Sequence, residues 1–264
     1  MTVPPRLTAD MALFLDFDGT LVDLAPTPDS VKVVDGLATH LNQLYDGLGG
    51  ALALVSGRPI EFLDFMLMPT ELPAAGLHGL ERRMSRQHPI ESAETWPGIP
   101  EIKEKFFQAN LFQDGIFLED KGIALAVHYR AQAERENEIR DQVARLAEQF
   151  PTLNTIHGHM VVEVKPAAED KGTAVQRFLR QPDFAGRIPV FIGDDTTDED
   201  GIRVVQELGG YGIKVGEQKS DAIFRLPDVR SVHDWLGQLN VPLFFEDVRN
   251  GHVSKTSSTR SNKE

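Results

Sequence analysis

The sequence has 264 residues, 41% of them hydrophobic and 25% charged, enough to bury a substantial interior as one large domain or as a core with a smaller second domain. Its net charge of −13 opposes attraction to nucleic acid or to an anionic membrane, and with no cysteine a disulfide framework and a thiolate zinc site are both excluded. The segment 1–10 lacks a basic stretch followed by an apolar one, and no run approaches the roughly 20 apolar residues of a membrane span, so a cytoplasmic location is expected. A monomer is the default expectation, on which the sequence itself is silent.

The apolar run 12–17 (ALFLDF) ends abruptly in Asp18-Gly19-Thr20, the pattern of a buried parallel strand that delivers a loop at its carboxyl end. Leu37, Leu41, Leu44 and Tyr45 recur at helical spacing, and 51–55 gives a second buried strand stopped by Ser56-Gly57-Arg58-Pro59. A short helix over 60–67 precedes a third apolar segment, 74–77, which closes on His78-Gly79. Between 83 and 165 the pattern changes. Strands at 116–118 and 123–129 flank Glu119-Asp120-Lys121-Gly122, read as a hairpin turn; Ile139, Val143, Leu146, Ala147 and Phe150 mark one face of a helix. Residues 155–156 pair with 160–164 across His157-Gly158-His159, which reads as a hairpin turn and not as a metal pair. The alternation then resumes with a helix at 173–179, a strand at 189–192 ending in Gly193-Asp194-Asp195, and a helix at 202–208. The expected fold class is therefore α/β: a Rossmann-like parallel-sheet core from 1–82 and 166–250, an inserted α+β cap from 83–165, and a disordered tail at 251–264.

Ligands of open α/β sheets sit outside the carboxyl ends of the strands, so the loops just located are the ones to inspect. Strand one ends in Asp16-Phe17-Asp18-Gly19-Thr20, and strand two in Ser56. Asp170-Lys171-Gly172 opens a helix, and Gly193-Asp194-Asp195-Thr196-Thr197-Asp198 ends a further strand. Taken singly, each is an ordinary turn or helix cap. Together they bring several acids, one hydroxyl and one ammonium to a single rim, where clustered carboxylates without a cation would repel one another. Mg²⁺ takes hard oxygen ligands and leaves positions for water and phosphate, and an acidic protein that handles a phosphate ester needs such local positive charge.

Asp16-x-Asp18-Gly19-Thr20, Ser56, Lys171 and Gly193-Asp194-Asp195 resemble the four ordered motifs of haloacid-dehalogenase-type phosphatases. Within that superfamily, LALVSGR at 52–58, GLHGLERR at 76–83, AVHYR at 126–130, VEVKP at 162–166 and the segment Gly193-Asp194-Asp195-x-Thr197-Asp198-Glu199 resemble trehalose-6-phosphate phosphatases, extending the likeness over about residues 10–240. The resemblance implies hydrolysis of a sugar phosphate, trehalose 6-phosphate, to the sugar and inorganic phosphate, as the last step of trehalose biosynthesis. Asp16 would be the nucleophile and Asp18 the general acid and base, with Ser56 and Lys171 holding the phosphoryl oxygens. Asp16, the Asp18 carbonyl and Asp194 would hold Mg²⁺, with Asp195 or Asp198 acting directly or through water. Glu119, Lys121 and Glu163 of the cap, with Gly57 and Arg58 of the core, would bind the sugar. Periodicity alone leaves Glu163, between Val162 and Val164, facing either solvent or the site. A sucrose or hexose phosphate is the alternative substrate, and a non-catalytic sugar-phosphate sensor is the alternative from another class; retention of both Asp16 and Asp18 weighs against the sensor. His78 and His128 read as neutral structural histidines.

Overall fold

Five consecutive apolar residues form the first strand, β1 (Met11–Leu15), and all five are buried, as a strand covered on both faces requires. The computed structural model describes residues 3–25, 30–158 and 160–239. After β1 come α1 (Leu37–Gly47), β2 (Leu52–Val55), α2 (Ile60–Met66), β3 (Ala74–Gly76), β4 (Glu81–Arg83), β5 (Glu91–Ser92) and α3 (Ile99–Gln108). Then follow β6 (Phe117–Asp120), β7 (Leu125–His128), α4 (Glu136–Ala147), β8 (Leu153–Gly158) and β9 (Val161–Pro166). The chain continues through α5 (Lys171–Phe178), β10 (Ile188–Gly193), α6 (Glu199–Glu207), β11 (Tyr211–Val215), β12 (Phe224–Leu226) and α7 (Val229–Leu236). Among the described residues no helix is long and apolar enough to cross a membrane. The tail expected to be disordered, 251–264, lies outside the described residues.

The large sheet has eight strands in the order β12-β11-β10-β1-β2-β3-β4-β5. Pairing is parallel from β12 to β3 and antiparallel from β3 to β5. From β1 the chain steps outward through β2 and β3, and β10 later returns to the other side of β1. The reversal opens a crevice at the carboxyl ends of β1 and β10, where Leu15 is in register with Ile192. The sheet retains the chain as far as Ser92, although the change of pattern placed the insert from 83 onward; β4 and β5, with the sequences ERR and ES, offer no apolar run to be read.

The second sheet has the order β6-β7-β9-β8, with every neighbouring pair antiparallel. Leu125, Val127, Val162 and Val164 bury one of its faces against Ile102 and Phe106 of α3 and Ile139 and Val143 of α4. The period of two therefore sends the intervening residues to the opposite face. There Glu119 pairs with Ala126, Ala126 with Glu163, and Glu163 with Ile156, a row running across the whole sheet. Glu163 and Lys165 are buried on this face, so Glu163 does not point to solvent.

Two turns differ from expectation. β6 runs through Asp120, which places Glu119 in the strand and leaves the turn to Lys121-Gly122-Ile123-Ala124. The Asp120 carboxylate accepts from the Gly122 N–H at 2.9 Å, Gly122 adopts φ 77°, and the Lys121 N–H donates to the Ala124 carbonyl at 3.0 Å. Ile123 and Ala124, read as strand from their apolar character, are buried instead against Leu77 and Leu80 of the core, a small apolar contact joining the two sheets. In the later hairpin β8 extends through Gly158 and β9 begins at Val161; His159 lies outside the described residues.

Candidate active site

The two central strands deliver the acids. Beyond the end of β1, the Asp16 N–H donates to the Ile192 carbonyl at 3.0 Å, so the sheet holds the backbone of Asp16 while its side chain turns into the crevice. Gly19 then takes φ 76°, closing a tight loop in which its N–H donates to the Val22 carbonyl at 2.7 Å. A Cβ at Gly19 would lie 2.1 Å from an Asp194 carboxylate oxygen, so the bare glycine backbone makes room for that acid. From the end of β10, Asp198 folds back over Gly193, where a Cβ would lie 2.2 Å from its Cγ. The carboxylates of Asp16, Asp194 and Asp198 thus each bring an oxygen within 4.8 Å of the others.

Lys171, the first residue of α5, reaches into this cluster. Its Nζ donates to Asp16 Oδ1 at 2.8 Å and to Asp198 Oδ1 at 2.6 Å. The helix start is fixed by a capping box, in which the Asp170 carboxylate accepts from the Thr173 N–H at 2.6 Å and the Thr173 hydroxyl accepts from the Asp170 N–H at 2.8 Å. Burial pushes the Asp16 carboxyl well above the usual range, Asp198 and Asp194 push it further, and Lys171 offsets them only in part. Asp194 is raised to about 7, first by burial and then by Asp198 and Asp195. Burial acts to lower the Lys171 ammonium, but Asp16 and Asp198 outweigh it, so the group is raised and stays charged. One ammonium therefore does not satisfy the three carboxylates, and this all-oxygen donor set fits a hard divalent cation such as Mg²⁺.

Asp18 is held by Arg58, whose Nε donates to Oδ2 at 2.7 Å and whose Nη2 donates to Oδ1 at 2.8 Å, while the guanidinium lies over the Phe62 ring at 4.5 Å. Ser56 is buried at the end of β2, and its Oγ accepts from the Arg58 N–H at 3.2 Å. Gly57 leaves space for the His78 ring, which a Cβ would approach to 2.6 Å. Asp195 is turned away from the cluster. Its carboxylate caps the following turn by accepting from the Thr196 N–H at 2.6 Å, and its own N–H donates to Asp198 Oδ2 at 2.9 Å. On the insert, Lys121 Nζ lies 2.5 Å from Glu163 Oε1, and Glu119 Oε2 lies 2.8 Å from His128 Nε2. Glu163 also stands 3.8 Å from His78 Nε2, linking the insert to the core. His78 is neutral, held well below its usual range first by burial and then by Lys171, Lys165 and Lys121, and its buried Nδ1 has no hydrogen-bond partner. A cavity of about 230 Å³ opens beside it, lined by His78, Lys171, Thr196 and Thr197 from the core and by Ile156 and His157 from β8.

Two buried lysines escaped the sequence reading: Lys165 on β9 and Lys214 on β11. For Lys214 a signal existed, namely one charge inside the otherwise apolar stretch Ile213-Lys214-Val215 of a strand. Such a residue is rarely buried without a polar task.

The family model described as trehalose-phosphatase matches residues 14–229. A protein of Sinorhizobium fredii described as "Probable trehalose-phosphate phosphatase" is 42% identical over 231 residues, 86% of this chain and 87% of that protein. The trehalose-6-phosphate phosphatase of Escherichia coli is 37% identical over 263 residues, 99% of this chain and 98% of its own length. Among solved structures, the C-terminal domain of Candida albicans trehalose-6-phosphate phosphatase superposes with a TM-score of 0.76 at 22% identity, covering 87% of this chain and 92% of that one.

Proposed function

The chain belongs to the trehalose-phosphatase family and is a phosphoric monoester hydrolase, and from that premise we propose that it hydrolyses trehalose 6-phosphate through a phosphoaspartate on Asp16 with Mg²⁺ as cofactor. The observation that carries the reading is the convergence of Asp16, Asp194 and Asp198 around Lys171 at the strand ends, joined to the insert through His78 and Glu163. Asp16, Asp194 and the Asp18 carbonyl, with Asp198, would hold the metal. Bound there, it neutralises charge on the phosphoryl group and on the attacking carboxylate.

Asp16 attacks phosphorus, forming the acyl phosphate as the bond from phosphorus to the sugar oxygen breaks. Asp18 delivers a proton to that oxygen, then takes one from the water that attacks the acyl phosphate, releasing phosphate and restoring Asp16. Arg58 clasps both Asp18 oxygens, and an incoming phosphate is a competing anion for the guanidinium. Lys171 keeps its charge and offsets the repulsion between phosphate and Asp16, and the Ser56 hydroxyl donates to a phosphoryl oxygen. Glu119 exchanges its contact with His128, and Lys121 and Glu163 their contact with one another, for sugar hydroxyls, while the insert excludes bulk water.

The test has two parts. Phosphate release from trehalose 6-phosphate, sucrose 6-phosphate, glucose 6-phosphate and p-nitrophenyl phosphate, with and without Mg²⁺, should rank the first substrate highest and stop on chelation. Acid-quenched enzyme turning over labelled phosphate ester should carry label that is absent from D16N. A preference for another sugar ester refutes the substrate, and label retained by D16N refutes the nucleophile.

A further inference from the structure

Resting on the metal reading above, we propose that Lys214 is a positioning residue that fixes the metal-binding loop from beneath. It sits on β11, fully buried, with Ile213 and Val215 as neighbours. Its Nζ donates to the backbone carbonyls of Asp194 at 2.6 Å and of Asp195 at 3.2 Å, and Glu199 Oε1 stands 3.9 Å away. An apolar side chain would suit this strand, and an ammonium taken out of water is unfavourable unless its protons are used. Two are used on consecutive carbonyls of one loop, and the third faces Glu199.

That loop governs two of the three clustered carboxylates. Asp194 is pinned at its carbonyl by Lys214, while its side chain settles into the gap that Gly19 leaves open. The Asp195 N–H, in the same peptide group as the Asp194 carbonyl, donates to Asp198 Oδ2 at 2.9 Å and so aims Asp198. The orientation of Asp194 and the aim of Asp198 both depend on a backbone that Lys214 holds through its carbonyls. Residues that orient the ligands of a metal are commonly worth about 10- to 100-fold in metal affinity.

The experiment measures Mg²⁺ binding by titration calorimetry on wild type, K214M and K214R, together with thermal melts and the kcat and KM for trehalose 6-phosphate. K214M, which keeps most of the length of the side chain and loses its donors, should bind Mg²⁺ about 10- to 100-fold more weakly. Its KM at saturating Mg²⁺ should stay within about twofold of wild type, since Lys214 touches no substrate. K214R, retaining charge and donors, should recover part of the affinity. If K214M melts lower but binds Mg²⁺ as wild type does, Lys214 is only a packing residue and the proposal is wrong. Should K214M not fold, K214Q, with one amide for the carbonyls, takes its place: weakened binding supports the proposal and unchanged binding overturns it. A wild type that binds no Mg²⁺ and needs none defeats the metal reading itself and this proposal with it, an outcome distinct from equal binding by wild type and variant.

Discussion

The rim of the large sheet and the inner face of the small one are both built from charged pairs, yet they hold their charges differently. At the rim, Asp16, Lys171 and Asp198 are almost wholly buried and locked by bonds of 2.6–2.8 Å. On the inner face the Glu119 side chain is 48% exposed and its partner His128 23%. Lys121 and Glu163 are more enclosed, at 13% and 11%, but their contact is with one another, within the insert. Fixed buried charge suits bond breaking at phosphorus, where the same charge develops for any phosphate ester. Exchangeable pairs suit selection, because each partner can trade its neighbour for a sugar hydroxyl.

The contrast is broken most severely at the rim. D16N should lower turnover of trehalose 6-phosphate and of p-nitrophenyl phosphate alike by at least about a thousandfold, since an amide is a poor nucleophile. Its circular-dichroism melt should remain cooperative, and appreciable activity in the folded variant would end the nucleophile assignment. D194A should raise the Mg²⁺ concentration needed for half-maximal rate by about 10- to 100-fold for both substrates. A titration in which only the disaccharide ester is affected would place Asp194 in sugar binding instead.

On the inner face the expected effect is selective. E119A, K121A and E163A should each reduce kcat/KM for trehalose 6-phosphate by about one to two powers of ten, for a lost charged hydrogen bond of about 1.5–3 kcal/mol, and change p-nitrophenyl phosphate hydrolysis far less. Because Lys121 and Glu163 are partners, the double variant K121A/E163A should cost less than the two single losses added together. Equal losses on both substrates would mean that these residues serve closure or folding.

The smallest effect is on stability. Asp16 and Asp194 are raised above the usual carboxylate value, Asp194 to about 7, so the metal-free folded state binds more protons than the unfolded chain between their unfolded and folded values. The contribution is present at low pH and is lost as pH rises through about 7, so the Tm of chelated protein should fall between about pH 5.5 and about pH 8. Mg²⁺ should flatten that slope by ligating the ionised form, and D194N should flatten it without metal. A chelated protein whose Tm rises across this window would contradict the assigned shifts.

The rim was legible because parallel strands buried on both faces leave apolar runs, and each run stops where a polar loop begins. Asp16, Ser56 and Asp194 all stand at such stops, and the order of β1, β2 and β3 followed from the same breaks. Lys171 was legible as a cation at a helix start, and the capping box of Asp170 and Thr173 is what the sequence presents there. Which of Asp195 and Asp198 joins the carboxylate cluster was not legible, because it depends on which carboxylate folds back over Gly193 and which caps Thr196. The inner face was harder. Ile123 and Ala124 read as strand since they are apolar, but they are apolar because they meet Leu77 and Leu80, residues distant in sequence. That contact displaced the turn and carried Glu119 into the strand. Lys214 is one charge inside an apolar stretch, but its role was not legible, because its partners are backbone carbonyls.

The contact of Leu77 and Leu80 with Ile123 and Ala124 has a calorimetric consequence. Lifting the insert would wet this small apolar patch, so the opening should carry little heat-capacity change and its enthalpy should vary little with temperature. A second tie, Glu163 to His78, lies beside Lys121 and Lys171. Charged groups on both sides of the opening, Lys121 on the insert and Lys171 on the core, make ionic strength a second variable to scan when its motion is timed.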